Sequence, residues 1–217
     1  MAKLKAKKIS RKISQEQIEK DLNAYRKKAI EFGSADAKVI PASWVSVDER
    51  VRLKCMVPRC HLYGESANCP PYTPKPDEMR KTLKKYKWAI LFKTDVNPKE
   101  DFIDNEKWHS GHMQHQAKIH EIAGKIESLA FNDGYYFATG FAAGGCKTAL
   151  CKGQYCQVLD SGRCRFPVKS RPSMEGVGID VFDIATRVGW DIYPVAHKDA
   201  DPDSIKCVIS VGIVFIS

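Results

Sequence analysis

The stretch HMQHQAKIHEIAGKIESLAFNDGYYFATGFAAGGC, residues 112–146, carries the clearest secondary-structure pattern in the chain. Its first half has four apolar side chains at helical spacing: Ile119, Ile122, Ile126 and Leu129. Gly134 then provides a stop signal for this helix. The following segment, YYFATGFAA, predicts a strand that leads directly to Cys146. A helix followed by a strand is therefore expected to carry the chain into a cysteine-rich loop.

The segments around this stretch continue the alternation of helices and strands. KWAILFKT predicts a buried strand, and RPSMEGVGIDVFDIATRVG predicts a helix over residues 171–189. WDIYPV and KCVISVGIVFIS predict two closing strands over 190–195 and 206–217. We therefore expect an α/β fold, or an α+β sandwich, in which helices flank a mixed central sheet. Two cysteine-rich loops, residues 55–71 and 144–167, interrupt the pattern.

The amino-terminal part of the chain predicts three further elements. SQEQIEKDLNAYRKKAIEFG indicates a helix that Ser14 caps. KVIPASWVSV indicates a strand, which Pro41 places at a sheet edge or start, and DERVRLKC indicates a short helix that delivers Cys55. We interpret residues 1–14 as a basic tail and residues 15–217 as a single domain.

Composition and charge exclude several classes of protein. The chain has 217 residues, of which 43% are hydrophobic and 28% charged, which is typical of a globular domain. It shows no apolar run that could span a membrane and no secretory signal, so we expect a cytoplasmic protein. Six of the 35 lysines and arginines lie in residues 1–12, which leaves 29 basic against 26 acidic side chains. This near balance argues against nucleic acid as the main partner.

Seven of the eight cysteines fall into two groups. The first group is Cys55, Cys60 and Cys69, and the second group is Cys146, Cys151, Cys156 and Cys164. A chain of this length does not need disulfide bonds to fold. In a cytoplasmic protein, closely spaced cysteines indicate metal binding or redox chemistry instead.

The spacing within each group favours iron–sulfur ligation. Zinc sites prefer cysteine pairs separated by a long gap, whereas the second group is a serial run, as in ferredoxins. We therefore predict one or two iron–sulfur clusters of the [4Fe–4S] type, with zinc as the alternative. The first group has three thiols, and its open position could be taken by Cys207, by His61, by a substrate or by a cysteine of the second group.

The motifs CHLYGESANCPP, GGC followed by GRCRFP, and RPSMEGVGIDV resemble a known family. This is the family described as predicted metal-binding proteins, domain of unknown function two-two-eight-four. The resemblance covers roughly residues 40–217 and leaves the basic tail outside it. It implies metal binding through the seven cysteines of the two groups, but it does not imply a reaction.

Other candidate residues flank these groups. Arg165 and Arg171 lie beside the last cysteine, where they are expected to contact an anionic cluster, an anionic substrate or a partner. Three histidines recur every third residue: His109, His112 and His115. This spacing lacks the i, i+4 pattern of helical metal ligands and favours a capping or core role, with a substrate pocket as the alternative. Cys207, in an apolar segment, is expected to be a buried, inert thiol.

Three functions remain open at this point. The first is electron transfer from an iron–sulfur cluster to a redox partner protein. The second is an enzyme whose open iron acts as a Lewis acid on a small anionic substrate, with His112 or His115 as acid or base. The third is a zinc-stabilised binding module that uses the lysine-rich tail to bind RNA.

Overall fold

The structure is a computed structural model that describes residues 6–10, 12–103, 108–195 and 201–217, and only the backbone of residues 108–110. The helices are α1 Gln15–Glu31, α2 Glu49–Leu53, α3 Pro76–Leu83, α4 Glu100–Ile103, α5 Trp108–Asn132, α6 Cys146–Ala149, α7 Gln157–Ser161 and α8 Val181–Arg187. The strands are β1 Asp36–Pro41, β2 Trp88–Asp95, β3 Thr139–Phe141 and β4 Ile209–Phe215. The predicted α/β class is confirmed, because helices cover both faces of a single sheet.

The four strands lie in the order β1-β2-β4-β3, and every neighbouring pair is antiparallel. The sequence predicts a mixed sheet, so the strand directions differ from that expectation. The two strands joined by α5, β2 and β3, run in the same direction but are not neighbours. The last strand, β4, inserts between them, which makes a split β-α-β unit with antiparallel pairs only.

Side chains of β2 alternate between two hydrophobic layers, as expected for a strand buried on both faces. Ile90 and Phe92 pack with α1 and α5 on one face of the sheet. Ala89 and Leu91 pack on the other face with α3, α8 and the buried Met174. The sheet is therefore the middle of three layers, and α5 is the helix that also reaches the second cysteine group.

The predicted helix α1 is confirmed, and Ser14 caps it by accepting a hydrogen bond from the Gln17 N–H at 3.2 Å. The helix is joined to the end of α5 by two hydrogen bonds from tyrosines. The Tyr25 hydroxyl donates to Asp133 at 2.8 Å, and the Tyr135 hydroxyl donates to Asp21 at 2.9 Å. These contacts fix the layer that carries the α5 helix.

Three sequence predictions are corrected by the tertiary structure. Residues 190–195 form no strand, because Trp190 instead turns into the core, where its indole N–H donates to Asp36 at 2.8 Å. The segment over 171–189 is a 3-10 turn followed by the short helix α8, which Asp180 caps. β3 is limited to three residues. Among the helices in the described part of the chain, none combines the length and apolar character that crossing a bilayer requires.

Candidate metal centre

The second cysteine group lies on a long loop whose two ends are held side by side. The loop leaves the sheet after β3, and Ala142 accepts a backbone hydrogen bond from the Met174 N–H at 2.9 Å. The Ala142 N–H in turn donates to the Pro172 carbonyl at 2.8 Å. The loop also packs closely on α5, where a Cβ at Gly124 would stand 2.2 Å from the Val168 carbonyl oxygen. The hydrogen-bonded loop ends and the helix α5 therefore support the loop that carries all four cysteines.

The second cysteine group surrounds one cavity of about 280 Å³. Its four members all line that cavity: Cys146, Cys151, Cys156 and Cys164. Cys146 is buried at the first residue of α6, and the other three thiols are half-buried. The Phe166 N–H lies 3.4 Å from the Cys164 sulfur, which gives that thiol a backbone donor. The predicted grouping of these cysteines is thus reproduced in space.

The first cysteine group follows α2, as the sequence predicts. The Cys60 N–H donates to the Cys55 carbonyl at 3.1 Å, and the Leu62 N–H lies 3.5 Å from the Cys60 sulfur. Arg52 fixes the proline-rich segment after Cys69, because its guanidinium donates to the carbonyls of Pro71 and Pro74 at 3.3 and 2.7 Å. The guanidinium therefore fixes the segment that follows Cys69.

The two cysteine groups meet at their buried members. The Ser66 hydroxyl lies 3.3 Å from the Cys146 sulfur, and the Asn68 amide nitrogen lies 3.5 Å from the same atom. Lys147 forms an ion pair with Glu65 at 2.7 Å across the same boundary. All eight cysteines are free of disulfide bonds. The two cysteine groups therefore adjoin in space.

The protonation of the thiols follows from their surroundings. Burial raises the pKa of Cys55 to about 11, and the neighbouring Cys60 adds to the shift. Burial likewise raises the pKa of Cys69 to about 12, and the neighbouring Cys146 adds to the shift. For Cys156, burial opposes ionisation, but backbone N–H donors from Ala67 and the start of α7 outweigh it and lower the pKa. Cys156 is thus the thiol most prepared for ionisation among those with a defined shift.

The side chains of this region have the chemistry of metal ligands, but they do not converge on one point. Within residues 6–10, 12–103, 108–195 and 201–217, no three histidine, cysteine, aspartate or glutamate side chains converge closely enough to hold one metal ion. The region nevertheless offers seven free thiols, a cavity lined by four of them, and N–H groups directed at sulfur. Thiolates with such hydrogen bonds are the ligands that zinc and iron–sulfur clusters prefer.

The two predicted arginines have different surroundings. Arg165 lies beside Cys151. Burial raises the pKa of Cys151, and a hydrogen bond from the Arg165 guanidinium offsets part of that rise. Arg171 forms a two-pronged pair with Glu127 of α5. Its remaining N–H groups donate to the carbonyls of Pro167 and Ser170. The assignment of both arginines to cofactor binding stays a prediction.

The remaining candidates lie on α5 or away from the two groups. His112 stacks on Phe102 with ring centroids 4.0 Å apart, and His115 pairs with Asp101 at 2.9 Å. The side chain of His109 lies outside the described residues. Cys207 is half-buried before β4, not buried within it, and its thiol donates to the Asp191 carbonyl at 3.5 Å. Its charged neighbours are Asp191, Lys93 and Asp95, none of which belongs to a cysteine group.

Several residues of the site other than cysteines are absent from the sequence prediction. They are Ser66, Asn68, His120 and Glu127. Ser66 and Asn68 lie in the motif ESANC, where small polar residues directly before a cysteine are a usable signal. His120 and Glu127 are polar residues among the apolar positions of α5, and both contact Arg171. A buried polar residue on an otherwise apolar helix face indicates a specific partner.

An α/β fold whose two adjoining loops carry seven free thiols, four of them around one cavity, defines a cysteine-rich metal-binding protein. The chain belongs to the family described as predicted metal-binding protein (DUF2284), whose model matches residues 38–216. No match was found among curated proteins or among solved structures. Family membership therefore supports metal binding and names neither the metal nor a reaction.

Proposed function

We propose that this chain is an iron–sulfur protein that holds a [4Fe–4S] cluster on the second cysteine group and passes electrons to a partner protein. The observation that carries this proposal is the placement of all four thiols of that group around one cavity of about 280 Å³. When bound, such a cluster supplies one-electron transfer and makes no bond to a substrate.

Hydrogen bonds to sulfur suit either metal, and the serial spacing of the second cysteine group is what favours iron–sulfur ligation over zinc. The Phe166 N–H and the Asn68 amide each point at a cysteine sulfur of the second group. Such donors stabilise the added negative charge of a reduced cluster, whereas zinc has no redox state to stabilise. The serial gaps of this group also lack the close pairs of zinc ribbons. Zinc remains the alternative that metal analysis decides.

The surface around the second cysteine group suits an acidic redox protein. Three exposed cations, Lys152, Arg163 and Arg165, surround the group and make no ion pair with a carboxylate in the described part of the chain. The loop over residues 146–165 has only one acidic residue, Asp160. Tyr155 projects from the same loop with 84% of its surface exposed. An exposed aromatic ring surrounded by cations is a suitable anchor for an acidic partner.

The first cysteine group favours a second candidate function. It contributes three thiols, and the neighbouring thiol of Cys146 already belongs to the second group. A centre on three thiolates keeps one position for a small anionic substrate, which would make the chain an enzyme that uses Lewis-acid chemistry. Perturbation of the spectrum by small anions identifies this case.

Anoxic purification with iron, sulfide and zinc quantitation tests the proposal. We expect a brown protein with about four irons and four sulfides for each [4Fe–4S] cluster. Cys156→Ser removes a proposed ligand and should lose the iron of one cluster, whereas Cys207→Ser, the matched control outside both groups, should keep it. A colourless protein with stoichiometric zinc contradicts the proposal.

Stopped-flow reduction of an acidic redox protein tests the partner. The rate should fall as ionic strength rises, because opposite charges steer the two proteins together. Arg163→Gln should weaken this salt dependence, while Lys84→Gln, an exposed lysine outside the cysteine loops, should leave it unchanged. Equal salt dependence in both variants contradicts the proposed docking surface.

A further inference from the structure

A four-residue turn in the first cysteine loop, Ser66–Cys69, lies directly against the second cysteine group. The Cys69 N–H donates to the Ser66 carbonyl at 3.0 Å, and the Asn68 N–H donates to the Ser66 hydroxyl oxygen at 3.3 Å. The Ser66 side chain is fully buried. These two bonds fix the turn and direct its side chains toward sulfur atoms.

The turn supplies hydrogen-bond donors to a thiol of the other loop. The Ser66 hydroxyl lies 3.3 Å from the Cys146 sulfur. The Asn68 amide donates to the same sulfur at 3.5 Å. Two side chains of the first loop thus contact one buried thiol of the second.

The Ser66 hydroxyl has little choice of acceptor. Its oxygen already accepts from the Asn68 N–H, and its side chain is sealed from water. A buried hydroxyl requires an acceptor for its hydrogen, and the acceptor within reach is the Cys146 sulfur. The hydroxyl therefore points its positive end at a thiol that we assign to the metal centre.

We propose that the Ser66–Cys69 turn sets the reduction potential of the centre on the second cysteine group and links that potential to metal binding by the first group. The inference rests on the proposed function, because it requires a redox-active centre. An added electron increases the negative charge on the sulfurs, and hydrogen-bond donors stabilise that charge and raise the potential. Cys69 ends the turn and is also a proposed ligand of the first group. Metal binding there would hold the donors in place.

Ser66→Ala tests the first half of the proposal by removing one oxygen atom. We expect the reduced form of the second centre to become less favoured by about tenfold, which is a drop of about 59 mV for one electron. Iron content should stay unchanged, and Ser66→Thr should restore the potential. Ser161→Ala is the matched control, because this hydroxyl lies in the second loop but bonds the Gln157 carbonyl at 3.2 Å.

Potentiometric titration followed by electron paramagnetic resonance gives the readout. Full iron content with an unshifted potential in Ser66→Ala overturns the proposal. If Ser66→Ala loses iron, Asn68→Leu decides, because it removes the second donor to Cys146 while keeping a similar side-chain shape, and Ser170→Ala controls for the bond that the same amide donates to Ser170 at 2.6 Å. Loss of iron from both variants assigns the turn to cluster assembly and also overturns a tuning role.

A double-mutant cycle tests the link between the two groups. Cys55→Ser weakens metal binding by the first group without changing a residue of the turn. Its effect on the potential of the second centre is measured with and without Ser66→Ala. Unequal shifts in the two backgrounds support a link through the turn, and equal shifts overturn it.

Metal quantitation of the parent protein distinguishes failure of the proposed function from failure of this inference. A parent protein with zinc alone overturns the proposed function, whereas a parent protein with iron and an unshifted variant overturns only this inference.

Discussion

The guanidinium of Arg171 and the carboxylate of Glu127 form a two-pronged ion pair, with N–O distances of 2.8 and 2.7 Å. One carboxylate oxygen of Glu127 also accepts a hydrogen bond from the Gly140 N–H at 2.6 Å. Gly140 precedes the second cysteine loop and Arg171 follows it. A single side chain on α5 therefore holds both ends of the loop that carries four thiols.

Glu127→Gln should destabilise the protein by about 2 kcal/mol, because it removes a charge from a largely buried pair and leaves Arg171 without its partner. Urea unfolding measures this cost, and metal retention after dialysis should fall in parallel. Glu121→Gln on the same helix is the control. Its pairs with Lys125 at 2.8 Å and Lys169 at 3.8 Å are partly exposed and should together contribute below about 0.5 kcal/mol. Equal costs for the two variants would contradict this role.

Gly124→Ala should destabilise the protein even though alanine favours a helix by about 1 kcal/mol over glycine. The added Cβ would stand 2.2 Å from the Val168 carbonyl oxygen, so the second cysteine loop must move away from α5. Urea unfolding and metal content provide the measurement. Ser128→Ala, which removes only an intrahelical bond to the Gly124 carbonyl, should change stability by less than about 0.5 kcal/mol. A stabilised Gly124→Ala variant would show that the loop is not held at this point.

His120 should make the protein less stable in mild acid. Its burial, with a contribution from Arg171, lowers the pKa of His120 from 6.5 to about 4. The unfolded chain therefore binds more protons between these values, and stability is lost as pH falls through that window. The full contribution is about 3 kcal/mol. Comparing urea unfolding at pH 7 and pH 4.5, we expect a smaller loss for His120→Asn than for the parent, and parallel losses would refute the assignment.

The thiols should differ in reactivity once the metal is removed. Donors from backbone N–H groups overcome burial to lower the pKa of Cys156, whereas burial raises the pKa of Cys69 to about 12. Thiolate, and not thiol, reacts with alkylating agents. In anoxic, chelated protein at pH 8, iodoacetamide should modify Cys156 well before Cys69, as mass spectrometry can follow. Similar rates in urea serve as the control, and similar rates in the folded protein would argue against this arrangement.

The local elements of this fold are predictable because their signals are local. The isoleucines of α5 recur at helical spacing, and β2 is a short apolar run, so each is recognised from its own residues. WDIYPV has the composition of a strand but forms none, because β4 lies beside β2 and Trp190 binds Asp36 instead. Strand pairing depends on residues far away in the chain, which periodicity does not report.

The sequence by itself determined that seven cysteines fall into two serial groups, because ligand type and spacing are written in the order of residues. It also determined the alternation of helices and strands. Only the tertiary structure decided that the two groups adjoin, that Ser66 and Asn68 of one loop face Cys146 of the other, and that Glu127 holds both loop ends. The contacts of Ser66 and Asn68 with Cys146 join residues 80 and 78 positions apart, and those of Glu127 span 13 and 44 positions. They form only when the sheet and α5 bring the two loops together.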